Sequence, residues 1–156
     1  MDLERVFDVL RAFEREKVRY ILIGGVALNF HGLARATQAI DFLVSPDPGN
    51  VDRLKKALQS VFHDPEIEQI SAEDLNGQYP TVRYGPPDDP FVIDLVSRFG
   101  ELAGFDDVEA EDQVVEGIRV SIATPRALYR LKKDTVRPID RADAQALKRR
   151  FKLEDS

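Results

Sequence analysis

Apolar residues in the first half of the chain recur with helical and strand periods in turn. Over residues 2–17 they recur at steps of three and four, which predicts an amphipathic helix. The run VRYILIGG, residues 18–25, is rich in β-branched residues and stops at two glycines, so it predicts a buried strand. VALNFHGL, 26–33, predicts a short helix, and AIDFLV, 39–44, predicts a second strand. Asn50 is the expected N-cap of a helix that reaches residue 62.

Strand patterns dominate the middle of the chain, and helical patterns follow them. PTVRYG, 80–85, and PFVIDLVS, 90–97, predict two strands, and DQVVEGIRVSIA, 112–123, predicts a hairpin that turns at Glu116-Gly117. Thr124, followed by proline, predicts the start of a helix that runs to about Asp134. A last helix is expected to begin at Pro138. Its residues expected to face the core are Ala142, Ala146, Leu147 and Phe151.

This order of elements predicts an α/β (α+β) fold, in which helices pack against a mixed β-sheet and two helices form the C-terminal part. A length of 156 residues is typical of one domain with a core of its own. We therefore expect residues 1–156 to form a single domain, with its core over about residues 1–122 and its helical part over about 124–152.

Composition narrows the class of protein and the kind of metal. The hydrophobic share of 43% and charged share of 32% are typical of soluble globular proteins. No apolar run approaches the roughly 20 residues that span a bilayer, and the mixed N-terminus is not typical of a signal peptide. The absence of Cys fits a cytoplasmic location. Oxygen ligands, with His31 and His63, remain for a metal, which favours Mg²⁺ or Mn²⁺.

Charge is distributed unevenly although the net charge is only −6. Residues 64–116 contain fifteen acids and only Arg83 and Arg98 as basic residues, whereas residues 126–150 contain nine Lys or Arg and three Asp. Such an acidic protein is not typical of a general polyanion binder, but a local basic surface is compatible with phosphate or RNA binding. A solvated basic helix is the simpler interpretation, and both stay open.

Two features of the strands could carry chemistry. Gly24 and Gly25 stand where a strand ends and a helix begins, and a backbone without side chains can approach a phosphate there. Asp41 and Asp94 each lie inside an apolar strand, where a carboxylate needs a hydrogen bond, a basic partner or a cation. A shared divalent cation would satisfy both acids. The alternative is that each acid pairs with a basic neighbour, for which Arg35 and Arg98 are candidates.

The segment GGVALNFHGLARATQAIDFLV resembles nucleotidyltransferases of the polymerase-β type, and most of all the small bacterial AbiEii-toxin-like and minimal nucleotidyltransferases. Their pattern is Gly-Gly, a short helix that often ends His-Gly, then Arg-x-Thr-x-Asp-x-Asp, and a third acid on a neighbouring strand. The matching residues are Gly24, Gly25, His31, Gly32, Arg35, Thr37, Asp41 and Asp94. The C-terminal helices are also similar, with Lys132 at the position of a phosphate-contacting lysine, followed by Arg137, Asp140 and Asp143.

The resemblance implies a set of site residues. Asp41 and Asp94 would be catalytic and would bind Mg²⁺ or Mn²⁺. The residues expected to contact the NTP are Gly24, Gly25, Arg35, Thr37 and Lys132. For His31, a partly buried side chain near its own helix end is the simpler interpretation than a ligand role.

Ala39 departs from this pattern, because it stands where the first metal-binding acid is expected. Strand alternation puts residues 39 and 41 on one face, about 6–7 Å apart, and two acids at that spacing can hold a pair of divalent ions. Without the first acid, we expect the chain to be nearly inactive. Three explanations stay open: a parent aspartate was replaced, the lineage lost catalysis but kept binding, or another acid such as Asp47 or Glu101 reaches the site. We favour the first, since every other matching position is intact.

The resemblance favours the toxin component of a bacterial toxin–antitoxin system, which transfers a nucleoside monophosphate (NMP) from an NTP to an RNA, such as a tRNA, or to a protein. A cognate antitoxin is an expected partner, and a membrane is not. Inactivation of an antibiotic by nucleotidylation is an alternative, in which the acidic segment receives a cationic drug. A non-catalytic module that binds a nucleotide or a partner is a second alternative. A purely structural role for both strand acids is the simplest one.

Overall fold

The computed structural model describes residues 2–77, 80–100, 103–135 and 137–154. Within these ranges the helices are α1 (Leu3–Arg15), α2 (Gly24–Phe30), α3 (Pro48–Phe62), α4 (Ala72–Asn76), α5 (Pro125–Lys132) and α6 (Pro138–Phe151). The strands are β1 (Tyr20–Ile23), β2 (Ala39–Val44), β3 (Thr81–Tyr84), β4 (Val92–Val96), β5 (Arg98–Phe99), β6 (Ala103–Gly104), β7 (Ala110–Val115) and β8 (Ile118–Ala123). Two 3₁₀ turns span Pro65–Gln69 and Phe105–Asp107.

Six of the strands form one mixed sheet in the order β3-β4-β2-β1-β8-β7. The pairs β2–β4 and β1–β8 are parallel, and the other neighbours are antiparallel. Strands β5 and β6 pair in a separate two-stranded sheet. The predicted α/β (α+β) fold, with a mixed sheet and two C-terminal helices, is thereby confirmed.

The core lies mainly between α1 and the sheet face that presents Phe42. The ring of Phe13 on α1 lies 4.8 Å from that of Phe42 and 5.2 Å from that of Tyr20, centroid to centroid, and all three side chains are buried. Aromatic pairs at this separation add to the gain from burying their apolar surface. Because Phe42 points toward α1, strand alternation turns Ala39 and Asp41 to the opposite face of the sheet.

Asn50 has a structural task different from the predicted one. Helix α3 begins at Pro48 and is capped by Asp47, whose side chain accepts a hydrogen bond from the Asn50 N–H. The prediction of Asn50 as N-cap is therefore wrong. Its side chain is fully buried, accepts from the Arg19 N–H at 2.7 Å and donates to the Ser45 carbonyl at 2.9 Å. It thus ties the start of β1 to the end of β2, which holds the two strands in register.

The inward face of α6 also differs from the predicted one. Ala142 and Ala146 are exposed, and the buried residues of the helix are Asp143, Ala144 and Leu147. One of these buried residues, Asp143, is charged and has basic partners. Hydrophobic periodicity does not anticipate an inward position for such a residue. The predicted hairpin at Glu116-Gly117 is formed, with both turn residues at positive φ. Neither α4 nor the 3₁₀ turn at Pro65–Gln69 was predicted.

None of the helices in the described ranges is both long and apolar enough to cross a membrane.

Candidate active site

Asp41 and Asp94 lie side by side on one face of the sheet. Parallel pairing of β2 with β4 puts Asp41 opposite Asp94 and Ala39 opposite Val92. Neighbouring strands lie about 4.8 Å apart, so the two carboxylates face each other across one strand spacing. On the other side of β2, Asp41 pairs with Ile23, the last residue of β1. The fold therefore brings together the two acids that the sequence predicted as a site.

The proximity of the two acids changes the acidity of Asp41. Burial, the negative charge of Asp94 and a hydrogen bond shared with Asp94 raise the pKa of Asp41 from 3.8 to about 6, although the charges of Lys132 and Arg83 oppose this shift. Two carboxylates that share a site favour a bound proton or a cation between them. Oxygen ligands of this kind suit a hard divalent ion such as Mg²⁺.

Arg83 is the basic partner of Asp94, a role for which the sequence analysis considered Arg35 and Arg98. Its Nε donates to Asp94 Oδ1 at 2.8 Å and its Nη2 donates to Oδ2 at 3.1 Å, so both carboxylate oxygens are engaged. Arg98 instead lies in the two-stranded sheet against Gly104. The sequence did not indicate Arg83, because counting outward from the centre of the loop at residues 86–89 pairs residue 83 with residue 92, whereas the observed register pairs it with Asp94.

The glycine pair makes room for the strand beside it. Gly24 has a φ of +73°, and a Cβ at this position would lie 2.1 Å from Asp41 Oδ2. A Cβ on Gly25 would lie 2.9 Å from the Cβ of Thr37. Both positions therefore require glycine, Gly24 for its backbone conformation and for Asp41, and Gly25 for the close approach of Thr37.

Thr37 fixes the backbone of the residue at which the expected acid is missing. Its Oγ1 accepts a hydrogen bond from the Ala39 N–H at 3.2 Å and donates to the Ala39 carbonyl at 3.1 Å. Ala39 is half-buried beside Asp41. Of the acids considered as substitutes, Asp47 caps α3 with its side chain, and Glu101 lies outside the described residues.

Lys132 and Arg35 meet at two aspartates of α6. Lys132 Nζ donates to Asp143 Oδ2 at 3.1 Å and to Asp140 Oδ1 at 3.3 Å. Arg35 Nε donates to both carboxylate oxygens of Asp143, at 3.2 and 3.3 Å. Arg35 is therefore a partner of Asp143 rather than of the strand acids. The charge of Lys132 acts on Asp41, whose pKa it lowers, so the end of α5 lies near the acid pair.

The histidines lie apart from the acid pair. His31 is 4% exposed, and its Nε2 lies 2.8 Å from the Ala123 carbonyl on β8. The side chain of His31 is therefore buried, but it contacts strand β8 rather than the end of its own helix, α2. His63 is exposed and ends α3 in the left-handed conformation. In the described part of the chain, no three His, Asp or Glu side chains gather where they could hold a metal ion.

A mixed sheet that sets two carboxylates beside a strand-Gly-Gly-helix junction defines the nucleotidyltransferase class of fold. The family model described as "Nucleotidyl transferase AbiEii toxin, Type IV TA system" matches residues 8–132, and the chain belongs to this family. A similar solved structure is an antigenic nucleotidyltransferase-like protein from Paracoccidioides brasiliensis, with a TM-score of 0.51 and 13% identity over 92% of this chain and 74% of that one. At this identity the likeness shows the fold alone. No curated protein sequence matches the chain.

Proposed function

We propose that the active form of this protein transfers an NMP from an NTP to a hydroxyl of an RNA end or a protein side chain, with Mg²⁺ and release of pyrophosphate. It would do so as the toxin component of a bacterial toxin–antitoxin system. The in-register pair Asp41–Asp94 beside the Gly24 junction carries the proposal. Burial and mutual repulsion at this pair favour a cation, and family membership supplies the type of reaction. A cognate antitoxin is the proposed counterpart in the cell.

Each residue of the site has a proposed task. Asp41 and Asp94 hold the divalent ion, which, when bound, offsets the charge that develops on the α-phosphate. Gly24 and Gly25 keep the backbone close to Asp41 and Thr37, and without side chains there the backbone would approach the triphosphate closely. Lys132 and Arg35 supply positive charge for the phosphates. Thr37, which would border the phosphates, keeps the backbone of residue 39 in place.

We further propose that Ala39 leaves this chain catalytically impaired. Its side chain lies on the face of Asp41 but offers no oxygen, and Val92 stands opposite it on β4. A transition state deprived of one direct metal ligand loses several kcal/mol of stabilisation, which corresponds to a slowdown of about a thousandfold at about 1.4 kcal/mol per tenfold. Asp41 and Asp94 alone then bind the ion weakly.

For the acceptor we favour RNA, such as a tRNA, over protein. Helices α5 and α6 carry most of the basic residues of segment 126–150, and the charge of Lys132 at the end of α5 acts on Asp41. Contacts between Lys or Arg and phosphates supply most of the nonspecific affinity for nucleic acid. A hydroxyl of a bound RNA would then be presented to the NTP from the basic side of the site.

A non-catalytic binding module is a second candidate, favoured by the pair Arg83–Asp94. Arg83 engages both oxygens of the acid that should hold the ion, and Ala39 removes a further ligand. Such a site can keep a nucleotide through its cationic residues without transferring anything. If the chain is such a module, placing an acid at position 39 should give no transferase activity.

The decisive experiment compares this chain with its Ala39→Asp variant, using labelled NTPs, Mg²⁺ and total cellular RNA and protein as acceptors. We expect label transfer by Ala39→Asp at a rate about a thousandfold above that of the parent chain. Ala39→Asn is the matched control, because it has the same shape as the aspartate but no charge, and it should stay as slow as the parent.

The outcomes separate the candidates. Transfer to RNA or protein with arrest of growth supports the toxin, whereas protection of cells from an antibiotic by Ala39→Asp would instead identify an antibiotic nucleotidyltransferase. Nucleotide binding without transfer by either chain would favour the binding module. An absence of nucleotide binding in both chains would overturn the proposed function.

A further inference from the structure

Helix α6 buries a carboxylate in a position that its apolar residues do not explain. The side chain of Asp143 is 9% exposed, on the same helix face as Ala144 and Leu147. A buried carboxylate costs several kcal/mol unless charged or hydrogen-bonding partners compensate for its desolvation. An apolar residue here would avoid that cost, so the contacts of Asp143 are what its inward position depends on.

The partners of Asp143 are two cations from distant parts of the chain. Arg35 lies in the loop that precedes β2, and Lys132 is the last residue of α5. Asp143 accepts from Arg35 Nε with both oxygens and from Lys132 Nζ with Oδ2. Arg35 and Lys132 would repel each other at this separation, and the shared carboxylate between them removes the repulsion. Asp143 therefore determines where both positive charges stand.

Both cations keep hydrogen-bond donors for a ligand. A lysine ammonium has three donors, and the bonds from Lys132 to Asp140 and Asp143 use two of them. A guanidinium has five donors, and the described bonds of Arg35 use those on Nε and on Nη1. The charge of Lys132 also acts on Asp41. The ammonium of Lys132 thus lies near the acid pair, where a triphosphate carried by a divalent ion would be, and Arg35 shares Asp143 with it.

We propose that Asp143 is a positioning residue that holds Lys132 and Arg35 as a two-cation clamp for the triphosphate of the NTP. This inference rests on the proposed function of the site and adds a residue to it. Asp143 does not touch the nucleotide, and it acts through the two cations. Asp140 has the same effect on Lys132 alone, with Thr135 donating to its second oxygen at 3.2 Å.

The test is the affinity of the full chain for ATP, CTP, GTP and UTP, each titrated with Mg²⁺ by calorimetry. For the NTP that the parent chain binds, Asp143→Asn is expected to weaken binding about tenfold, because both cations lose their anchor. Asp52→Asn, the same change on the exposed face of α3, is the matched control and should bind like the parent. Unchanged or tighter binding by Asp143→Asn would overturn the clamp.

A double-mutant cycle separates positioning from a general structural effect. In a Lys132→Gln background we expect Asp143→Asn to weaken binding no more than about threefold, because one of the two cations on which it acts is gone. An undiminished tenfold loss in that background would contradict the clamp. If Asp143→Asn fails to fold, Asp143→Glu takes its place. This variant keeps the charge but moves the carboxylate by one methylene. NTP binding equal to that of the parent chain would then count against the clamp. Should neither the parent chain nor its Ala39→Asp variant bind any of the four NTPs, the proposed function itself fails.

Discussion

Asp41 and Asp94 occupy neighbouring positions of two parallel strands, and their proximity makes the stability of the protein depend on pH. The pKa of Asp41 is about 6 in the folded chain, against an ordinary value of 3.8. Because the folded state holds the proton more tightly than the unfolded state, stability is greatest below about pH 4 for this group and falls as pH rises to about 6. Above about pH 6 the contribution of Asp41 to stability at low pH is lost completely.

Replacing Asp41 by Asn should therefore stabilise the chain at neutral pH. We expect Asp41→Asn to raise the free energy of unfolding by about 2 kcal/mol at pH 7.5 and to leave it nearly unchanged at pH 4, measured by urea denaturation. Asp52→Asn, at an exposed position, should show no such pH-dependent difference. A loss of stability in Asp41→Asn at pH 7.5 would mean that the carboxylate is already compensated in the folded chain.

Arg83 competes with a metal ion for Asp94, since it engages both carboxylate oxygens. The side chain of Arg83 is 69% exposed, so solvent screens the pair and its contribution to stability is small. Removing it should make Mn²⁺ binding about threefold to fivefold tighter in Arg83→Gln, measured by electron paramagnetic resonance at pH 7.5. Arg98→Gln removes an equal charge away from the acids and serves as the control. Equal affinities in both variants would argue against competition.

Among the elements, the junction between β1 and α2 should tolerate substitution least. A Cβ on Gly24 would meet Asp41 Oδ2, whereas one on Gly117 in the β7–β8 turn meets nothing within 4 Å, although φ is +73° and +75° respectively. We expect Gly24→Ala to destabilise the chain by about 3 kcal/mol or more and Gly117→Ala by about 1 kcal/mol, in thermal and urea denaturation. The difference measures the clash with Asp41, and equal losses would show that backbone strain alone decides.

Most of the elements could be predicted from the period of their apolar residues, because α1, β1, β2, β4 and β8 bury most of their apolar side chains on one face or on both. The inward face of α6 could not, since Asp143 rather than Ala142 or Ala146 is turned inward, and only tertiary contacts with basic residues explain it. Asp41 and Asp94 were predicted as a pair, but the register that sets them side by side depends on which strands are neighbours.

At the scale of the whole molecule, most basic residues of the C-terminal part lie on helices α5 and α6. Lys132 at the end of α5 acts on Asp41 through its charge, whereas α1 packs on the opposite face of the sheet, against Phe42. A chain with a net charge of −6 thus carries a local concentration of basic residues over 126–150. On the proposed function these residues would bind RNA through phosphate contacts, and the affinity would fall with salt.

RNA binding should accordingly depend on the basic residues of α5 and α6 and not on basic residues elsewhere. Arg126 and Arg149 are exposed on α5 and α6, and Arg11 and Lys56 are exposed on α1 and α3. We expect the double change Arg126→Gln/Arg149→Gln to lower the slope of log affinity against log salt by about 2, measured by fluorescence anisotropy with labelled tRNA. Arg11→Gln/Lys56→Gln should leave the slope as it is. Binding that does not vary with salt would count against the RNA acceptor.

The hydrogen bonds that Thr37 makes to the backbone of Ala39 have a genetic consequence. Because the main chain at this position is fixed by its neighbour and not by its own side chain, an aspartate needs no rearrangement of the strand. The alanine codons GCU and GCC each differ from an aspartate codon by one base, so from either of them a single point mutation would place an aspartate beside Asp41 and Asp94. On the proposed function, such revertants would regain activity in any large population, and a second substitution at the site would be needed to make the impairment durable.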